Sequence, residues 1–324
     1  MIKNVLITGG AGYIGSHIAE VLIKNKKKVY IVDDLSTGFK KLVNKKSKFK
    51  RENILNFKRI KKIINNNKID SIIHLAAALS VGESQKYPNK YNKINVLGTK
   101  KLLLSIKGSN VKNFIFSSTC AVYKDGLTKV SEQSNLSPKS VYGKTKLQGE
   151  KLINNFCKKN NINCAILRFF NVAGASPSGK IGQINKGDQL FKNLSIEIKK
   201  KRPVFKVYGT DYETKDGTCV RDYIHVVDIS RIHNKVLEAI NKKRKSIILN
   251  CGYNKGISVL QVVREFKKFT NKYVKIIFLP RRTGDMVQII SNTKKLNSFI
   301  KWTPKYNNLS KIVKSCLKWE KLKI

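Results

Sequence analysis

Acidic residues are scarce: the 324-residue chain has 20 Asp and Glu against 66 Lys and Arg, a formal net charge of +46. It has six cysteines, Cys120, Cys157, Cys164, Cys219, Cys251 and Cys316, with no C-x-x-C pair among them and no histidines gathered near them. That scatter excludes a disulfide framework and a zinc-ribbon pattern, so no structural metal is expected. No apolar run approaches the roughly 20 residues that a membrane helix needs. The first apolar stretch, Met1 to Ile7, breaks at once into Thr8-Gly9-Gly10. It is too short for the core of a secretory signal, and no small-residue cleavage site follows. A cytoplasmic protein without a membrane partner is the expectation. There is no internal repeat and no low-complexity tract beyond the lysine bias.

The charge has two readings. A basic surface can neutralise nucleic-acid phosphates. The lysines, however, are spread along the chain and rise together with Asn and Ile, as in Lys61-Lys62-Ile63-Ile64-Asn65-Asn66-Asn67-Lys68. Codons for all three are rich in A and T, so compositional drift is the preferred reading and a nucleic-acid partner is not expected. Either way the field attracts anionic ligands and weakens with salt.

Hydrophobic residues make up 41% of the chain, enough for a real core. In the first half, strand-like and helix-like stretches alternate. Lys3 to Thr8 reads as a strand, Tyr13 to about Asn25 as an amphipathic helix, and Val29 to Val32 as a second strand ending on Asp33-Asp34. Ser71 to Leu75, Phe114 to Ser117 and Cys164 to Arg168 read as buried strands; Pro88 to Ile106 and Tyr142 to Lys159 read as helices. This alternation predicts an α/β fold of the Rossmann type, a doubly wound parallel sheet with helices on both faces. After Phe170 the texture becomes irregular and rich in Gly, Ser, Pro and Asn. The expected division is a dinucleotide-binding part over 1–170, to which some later segments return, and a smaller mixed α/β part over 171–324. Leu309 to Trp319 is expected to close the chain as a short helix.

The first strand-to-helix turn reads Thr8-Gly9-Gly10-Ala11-Gly12-Tyr13-Ile14-Gly15. Gly9 suits a tight turn, Gly12 lets a pyrophosphate approach the backbone, and Gly15 lets helix and strand pack closely. The helix N-terminus supplies N–H groups and partial positive charge for phosphates. The next strand ends at Asp33, roughly 20 residues on, where a carboxylate accepts from ribose hydroxyls and repels a 2′-phosphate. NAD is therefore expected rather than NADP.

The G-x-x-G-x-x-G spacing resembles the extended branch of the short-chain dehydrogenase/reductase family. That resemblance implies an adenine contact at Asn53-Ile54, a turn against the adenine at His74-Leu75-Ala76-Ala77, and a helix-buried Asn at Asn95, for which a purely structural polar bridge is the other reading. The cofactor set it implies is Gly9, Gly12, Tyr13, Ile14, Gly15, Asp33, Asp34, Asn53, Ile54, Leu75, Ala76, Ala77, Asn95, Ser117 and Phe169, with Tyr142 and Lys146.

Tyr142-Gly143-Lys144-Thr145-Lys146 holds Y-x-x-x-K, and residues four apart share a helix face. A free tyrosine titrates at about 10 and is a poor base at neutral pH. A nearby ammonium and a positive nicotinamide ring favour its phenolate. The motif follows a strand ending Ser117-Ser118-Thr119, and the Thr119 hydroxyl can bridge a substrate O4 and the phenol.

Further stretches resemble the UDP-galactose 4-epimerases. They are Val32 to Gly38, Val81-Gly82-Glu83-Ser84, Arg168 to Ala175, the long block Tyr208 to Asp228, and Arg281-Arg282-Thr283-Gly284-Asp285. Together they span the chain in order. The resemblance implies a UDP-sugar substrate held by Thr119, Asn171, Gln189, Leu190, Lys206, Tyr208, Arg221, Arg282 and Asp285. Tyr208 would face the uracil, the arginines the diphosphate, and Asp285 the uridine ribose. It also implies C4 epimerisation by transient hydride transfer to NAD, and a homodimer through helices near 88–106 and 142–159. Dehydratase relatives place Asp-Glu after the catalytic Thr; here Cys120-Ala121 follows, and elimination lacks its acid/base pair. Lys124, Leu79 and Gln189 depart from the family's usual residues, and Ile289 stands where pocket size is set, which bears on N-acetylated sugars. UDP-N-acetylglucosamine, UDP-glucuronate and UDP-pentoses are alternative substrates. An RNA-binding protein on a dehydrogenase fold is the reading from another class; it predicts a degraded catalytic set, whereas Thr119, Tyr142 and Lys146 are all present.

Overall fold

The structure is a computed structural model and describes residues 2–185, 187, 189–282 and 285–321. In chain order the strands are β1 (Asn4–Thr8), β2 (Lys28–Asp33), β3 (Lys48–Arg51), β4 (Ser71–His74), β5 (Asn113–Thr119), β6 (Lys129–Val130) and β7 (Asn163–Phe169). They continue with β8 (Asn171–Ala173), β9 (Val204–Tyr208), β10 (Val220–His225), β11 (Ile247–Cys251), β12 (Gly256–Ser258), β13 (Lys275–Leu279) and β14 (Gln288–Ser291).

Seven strands form one sheet in the order β11-β7-β5-β4-β1-β2-β3, and every neighbouring pair is parallel. Short apolar runs such as Ser71-Ile72-Ile73-His74 are buried on both sides, as strands of a covered parallel sheet must be. Side-chain alternation divides them between two cores. Val5, Ile7, Ile73, Ile115 and Leu167 face one core, with Ile18 and Leu22 of the helix Tyr13–Lys24 and Ile229, Ile232 and Val236 of the helix Val226–Lys243. Leu6, Ile72, Phe114, Phe116 and Ile166 face the other, with Ile60, Leu102 and Ile153 from the helices Phe57–Asn66, Gly98–Ile106 and Val141–Lys159. Each such side chain contributes about 1.5–3 kcal/mol on burial. The winding reverses between β1 and β4, which opens a crevice at the carboxyl ends of these strands.

β10 organises a second sheet. Its first half pairs with β12 and β14, and its last half pairs with β8, Tyr223 opposite Asn171. β6 extends this sheet beyond β14, while β9 and β13 pair apart from it. Because β8 follows β7 after a single residue, the substrate-side sheet is anchored directly on the first one.

The irregular texture expected after Phe170 is only part of the outcome. The helix Val226–Lys243 is 18 residues long and packs against the helix Tyr13–Lys24, and β11 joins the edge of the first sheet beside β7. Its buried positions, Val226, Ile229, Ile232, His233, Val236, Leu237 and Ile240, recur every three or four residues. The expected helix over 88–106 is helical throughout but not uniformly α: Pro88–Tyr91 is α, Asn92–Leu97 a π turn, and Gly98–Ile106 α again. Such widened turns are frequent at functional sites. The last helix runs Leu309–Lys321 and buries Ile312, Val313, Cys316 and Trp319. Among the described residues no helix is long and apolar enough to cross a membrane.

Candidate active site at the strand carboxyl ends

The glycine loop lies where β1 meets the helix Tyr13–Lys24. Gly9 has φ +74°, and a Cβ there would stand 2.7 Å from the Ala76 amide nitrogen. At Gly12 a Cβ would meet only the Gly9 carbonyl, at 3.3 Å, so this side of the loop is open. Gly12 is also the N-cap of the helix; no side chain caps it and no acid lies in the first turn. Tyr13 turns its hydroxyl to the Gly174 carbonyl at 2.5 Å, while Ile14 packs on the core.

Asp33 is buried at the end of β2, not an exposed loop carboxylate. Its two oxygens accept from the amides of Ala11 (3.0 Å) and Leu35 (2.8 Å). Burial raises its pKa, partly opposed by these hydrogen bonds. Asp34 accepts from Ser36 and from the Asn53 side-chain amide at 2.7 Å. The Asn53 carbonyl, expected to meet adenine, already accepts from the Leu55 amide at 2.9 Å. Ile54 is buried and packs against Gly98. Leu75 donates its amide to Thr8, and Ala76 and Ala77 follow beside the glycine loop. Asn95 takes the bridging role: its carbonyl accepts from Ala78 at 2.8 Å, and its amide donates to the Ala78 carbonyl and to Thr145. Both polar ends of Asn95 are thus engaged within the protein.

The helix Val141–Lys159 brings Tyr142 and Lys146 to the same crevice. Ser140 caps it by accepting from Gly143 at 3.0 Å. Ser84 accepts from the Tyr142 amide at 3.1 Å and Gln85 from the Val141 amide at 3.0 Å. Gly143 is required here, since a Cβ would collide with the Ala121 carbonyl. The Thr119 hydroxyl, at the end of β5, hydrogen-bonds the Tyr142 phenol and also accepts from the Ala121 amide at 3.1 Å. Lys146 is buried, its ammonium 4.4 Å from the centroid of the Phe116 ring. Burial pushes it down to about 7, against the charge of Glu150.

The expected lowering of the Tyr142 pKa is not what the protein's own groups produce. Burial pushes the phenol up to about 12, and only the Thr119 hydrogen bond works against it. Desolvation of the phenolate outweighs that hydrogen bond.

Behind this group stands a buried network that spacing alone does not reveal. Arg168 on β7 forks onto Glu150, with Nε 3.0 Å from Oε1 and a terminal nitrogen 2.7 Å from Oε2. Arg168 also donates to the Tyr123 hydroxyl, which donates to Asn250 on β11. Ser118 donates to Glu150. The residue types Glu, Arg and Ser were visible, but nothing local in the sequence joins positions so far apart.

On the substrate side, Arg282 stands over the Tyr208 ring, 5.2 Å from its centroid. Asp285 accepts from Arg282 Nε at 2.9 Å, and Arg221 of β10 lies 3.9 Å from the same carboxylate. Thr283 and Gly284 of this motif lie outside the described residues. Lys206 and Tyr208 share one face of β9. Asn171 is exposed on β8, and exposed Gln189 precedes half-buried Leu190 at the start of the helix Leu190–Glu197. Phe169 ends β7 with its ring against His233. Ile289 is buried on β14 against Val122, Tyr123, Val130 and Phe170, while Leu79 and Lys124 are exposed.

The Ser117 hydroxyl is buried with no hydrogen-bond partner among the described residues. This orphan, the open side of the glycine loop at Gly12 and the carboxylate at the end of β2 fit a dinucleotide laid across the crevice.

Comparison with known proteins agrees with this geometry. The UDP-glucose 4-epimerase of Lactobacillus helveticus is 37% identical over 322 residues, 98% of this chain and 97% of that one. UDP-arabinose 4-epimerase 1 of Arabidopsis thaliana is 37% identical over 336 residues, 99% of this chain and 80% of that one. The crystal structure of UDP-glucose-4-epimerase from Stenotrophomonas maltophila, with bound NAD and formylated UDP-arabinopyranose, superposes with a TM-score of 0.94 at 33% identity, covering 99% of this chain and 98% of that one. The model of the NAD dependent epimerase/dehydratase family matches residues 5–252, more than half of the chain, and the protein belongs to that family.

Proposed function

We propose that the protein is a UDP-sugar 4-epimerase that interconverts UDP-glucose and UDP-galactose. The observation that carries this reading is the meeting of Thr119, Tyr142 and Lys146 at one crevice with the glycine loop, on a chain whose 4-epimerase relatives match it over nearly its full length. Gly9, Gly12, Gly15 and the helix behind them take the pyrophosphate, Asp33 and Asp34 the ribose end, Asn53 and Ile54 the adenine side, and Ser117 donates its unpartnered hydroxyl into the crevice. When bound, NAD supplies reversible hydride acceptance, the chemistry needed to oxidise C4 of the sugar and reduce it again.

Tyr142 removes the proton from the sugar O4 and returns it. Thr119, hydrogen-bonded to the phenol, orients that oxygen, and the Lys146 ammonium favours the phenolate. Arg221 and Arg282 hold the diphosphate, Tyr208 faces the uracil, and Asp285 takes the ribose hydroxyls, with Asn171, Gln189, Leu190 and Lys206 lining the nucleotide end. Firm hold on UDP leaves the sugar free to turn and present its other face.

A coupled assay with UDP-galactose, scoring UDP-glucose, tests the reading. Turnover by the wild-type protein that falls about 10²–10⁴-fold in Tyr142→Phe is expected. Absence of wild-type turnover sinks the galactose assignment. A second reading, a UDP-pentose 4-epimerase, is favoured by the equal identity to UDP-arabinose 4-epimerase 1; a larger kcat/KM for UDP-arabinose than for UDP-galactose in the same assay decides for it. We infer also that the protein is a homodimer, since Tyr87, Leu97 and Leu104 expose apolar side chains along 87–104, around a shallow groove lined by Asn92, Lys93, Val96, Leu97 and Lys100.

A further inference from the structure

The buried carboxylate of Glu150 is shared by three elements that must keep register for the proposed reaction. It sits on the helix that carries Tyr142 and Lys146, one turn after Lys146, and residues four apart share a helix face. It accepts from Ser118, the neighbour of Thr119 at the end of β5, and it receives both arms of Arg168 on β7. Glu150, Ser118, Arg168 and Lys146 are all buried. Arg168 pairs with this carboxylate at 2.7 Å, and Lys146 lies one helical turn before it on the same face.

We propose that Glu150 is a positioning residue for Thr119, Tyr142 and Lys146: its carboxylate clamps the catalytic helix to the end of β5 and supplies the counter-charge for the Lys146 ammonium. This rests on the epimerase reading of the crevice. Glu150 touches neither the sugar nor the cofactor in that reading and acts only through its neighbours.

The surroundings of Lys146 leave few other sources of negative charge. On its own helix it is flanked by Tyr142 and Glu150. From β4 comes His74, held neutral by burial, with its Nδ1 and Nε2 on Thr8 and Thr99. From β5 come Phe116 and Ser118, and from β7 Arg168. Cys120 and Tyr91 face Tyr142, and Tyr91 is bonded to Glu83. The carboxylate of Glu150 raises the Lys146 pKa against the stronger effect of burial. Without it the ammonium loses its proton at lower pH, and the phenol loses the charge that favours its ionised form.

The test uses the full-length protein with bound NAD and three variants, Glu150→Gln, Glu150→Asp and Ser118→Ala, each checked for fold by its thermal melt. The first readout is the NMR titration of the Lys146 side chain. The second is the pH profile of kcat with UDP-galactose. In Glu150→Gln the Lys146 midpoint moves down by about one pH unit or more, and the alkaline limb of kcat moves with it while KM stays within about twofold. Glu150→Asp keeps the charge, so its limb stays near that of the wild type although kcat falls through the shorter reach. Ser118→Ala loosens only the clamp, so kcat falls about tenfold without moving the limb. Where Glu150→Gln does not fold because Arg168 is left unpaired, the double replacement Glu150→Met with Arg168→Met removes both charges together, and the Lys146 midpoint must still move down, by less than in the single variant because the Arg168 cation is gone as well. A folded variant lacking the carboxylate whose Lys146 midpoint does not move, or a Ser118→Ala protein with wild-type kcat, overturns the proposal. No turnover by the wild-type protein on either UDP-galactose or UDP-arabinose would instead sink the epimerase reading, and the Lys146 titration would still decide the electrostatic role of Glu150.

Discussion

Asp285 lies between two guanidinium groups, 2.9 Å from Arg282 Nε and 3.9 Å from the nearer terminal nitrogen of Arg221. The carboxylate occupies the charge that a diphosphate would otherwise meet, and it presents the pair ready-oriented. Arg282 is half-exposed and Arg221 much less so. The two should therefore not be equal. A charge-assisted hydrogen bond contributes about 1.5–3 kcal/mol, so Arg221→Ala is expected to weaken UDP binding about 10–100-fold by calorimetry. Arg282→Ala is expected to weaken it less, because its charge is better screened.

All four histidines, His17, His74, His225 and His233, are buried, and burial holds them down to about 4, 3, 3 and 4. In the unfolded chain each titrates at about 6.5. A folded pKa below the unfolded one means that the unfolded state takes up protons first, so stability is intact above about 6.5 and is lost as pH falls toward 4. At about one unit below 6.5 each site has lost somewhat more than about 1 kcal/mol, and the four together roughly 5–6 kcal/mol. Raised Asp33 and Asp222 work the other way. The melting temperature is expected to drop steeply between about pH 6.5 and 5, and His233→Leu to remove about a quarter of that slope. A flat profile across this window would contradict the burial of these rings.

Leu97 and Leu104 are exposed on one helical stretch, with exposed Tyr87 just before it, and a second copy of this chain is the partner inferred for them. Light scattering on the wild-type protein should give twice the chain mass. Leu97→Glu combined with Leu104→Glu should give the single-chain mass with the melting temperature little changed, since neither side chain is part of the monomer core.

The net charge of +46 should be felt by an anionic substrate before it docks. The KM for UDP-galactose is expected to rise between low salt and about 0.2 M, where screening acts over less than about 10 Å, with kcat nearly constant.

What the sequence disclosed follows from the range of the interactions involved. The glycine loop, the carboxylate at the end of β2 and the Tyr142–Lys146 spacing are local, and local spacing is what a strand or helix reports directly. The strand Phe114–Ser117 was legible for the same reason. The Arg168–Glu150 fork and the Ser84 cap on Tyr142 join residues separated by 18 and 58 positions, and no periodicity links them. Asn95 shows a different limit: its burial was foreseen, but which of its neighbours would satisfy it depended on the π turn that carries it. For Tyr142 the sequence shows the neighbouring ammonium, whereas the desolvation that raises the phenol exists only once the helix is docked. β11 does not stand out in the sequence because its five residues lie in a stretch of irregular texture, although each is apolar or, as Asn250, paired inside.

β11 has a consequence for how the protein is made. It covers the edge of β7, and more than seventy residues must be synthesised after Phe169 before it emerges. Until then β7 presents a row of open backbone groups beside the largely apolar residues Cys164 to Leu167, the kind of edge that pairs with other chains. The ribosome thus releases an incomplete sheet whose last seam is stitched late. A gene fragment ending near Phe170 should yield insoluble protein, and one ending after Cys251 should be far more soluble.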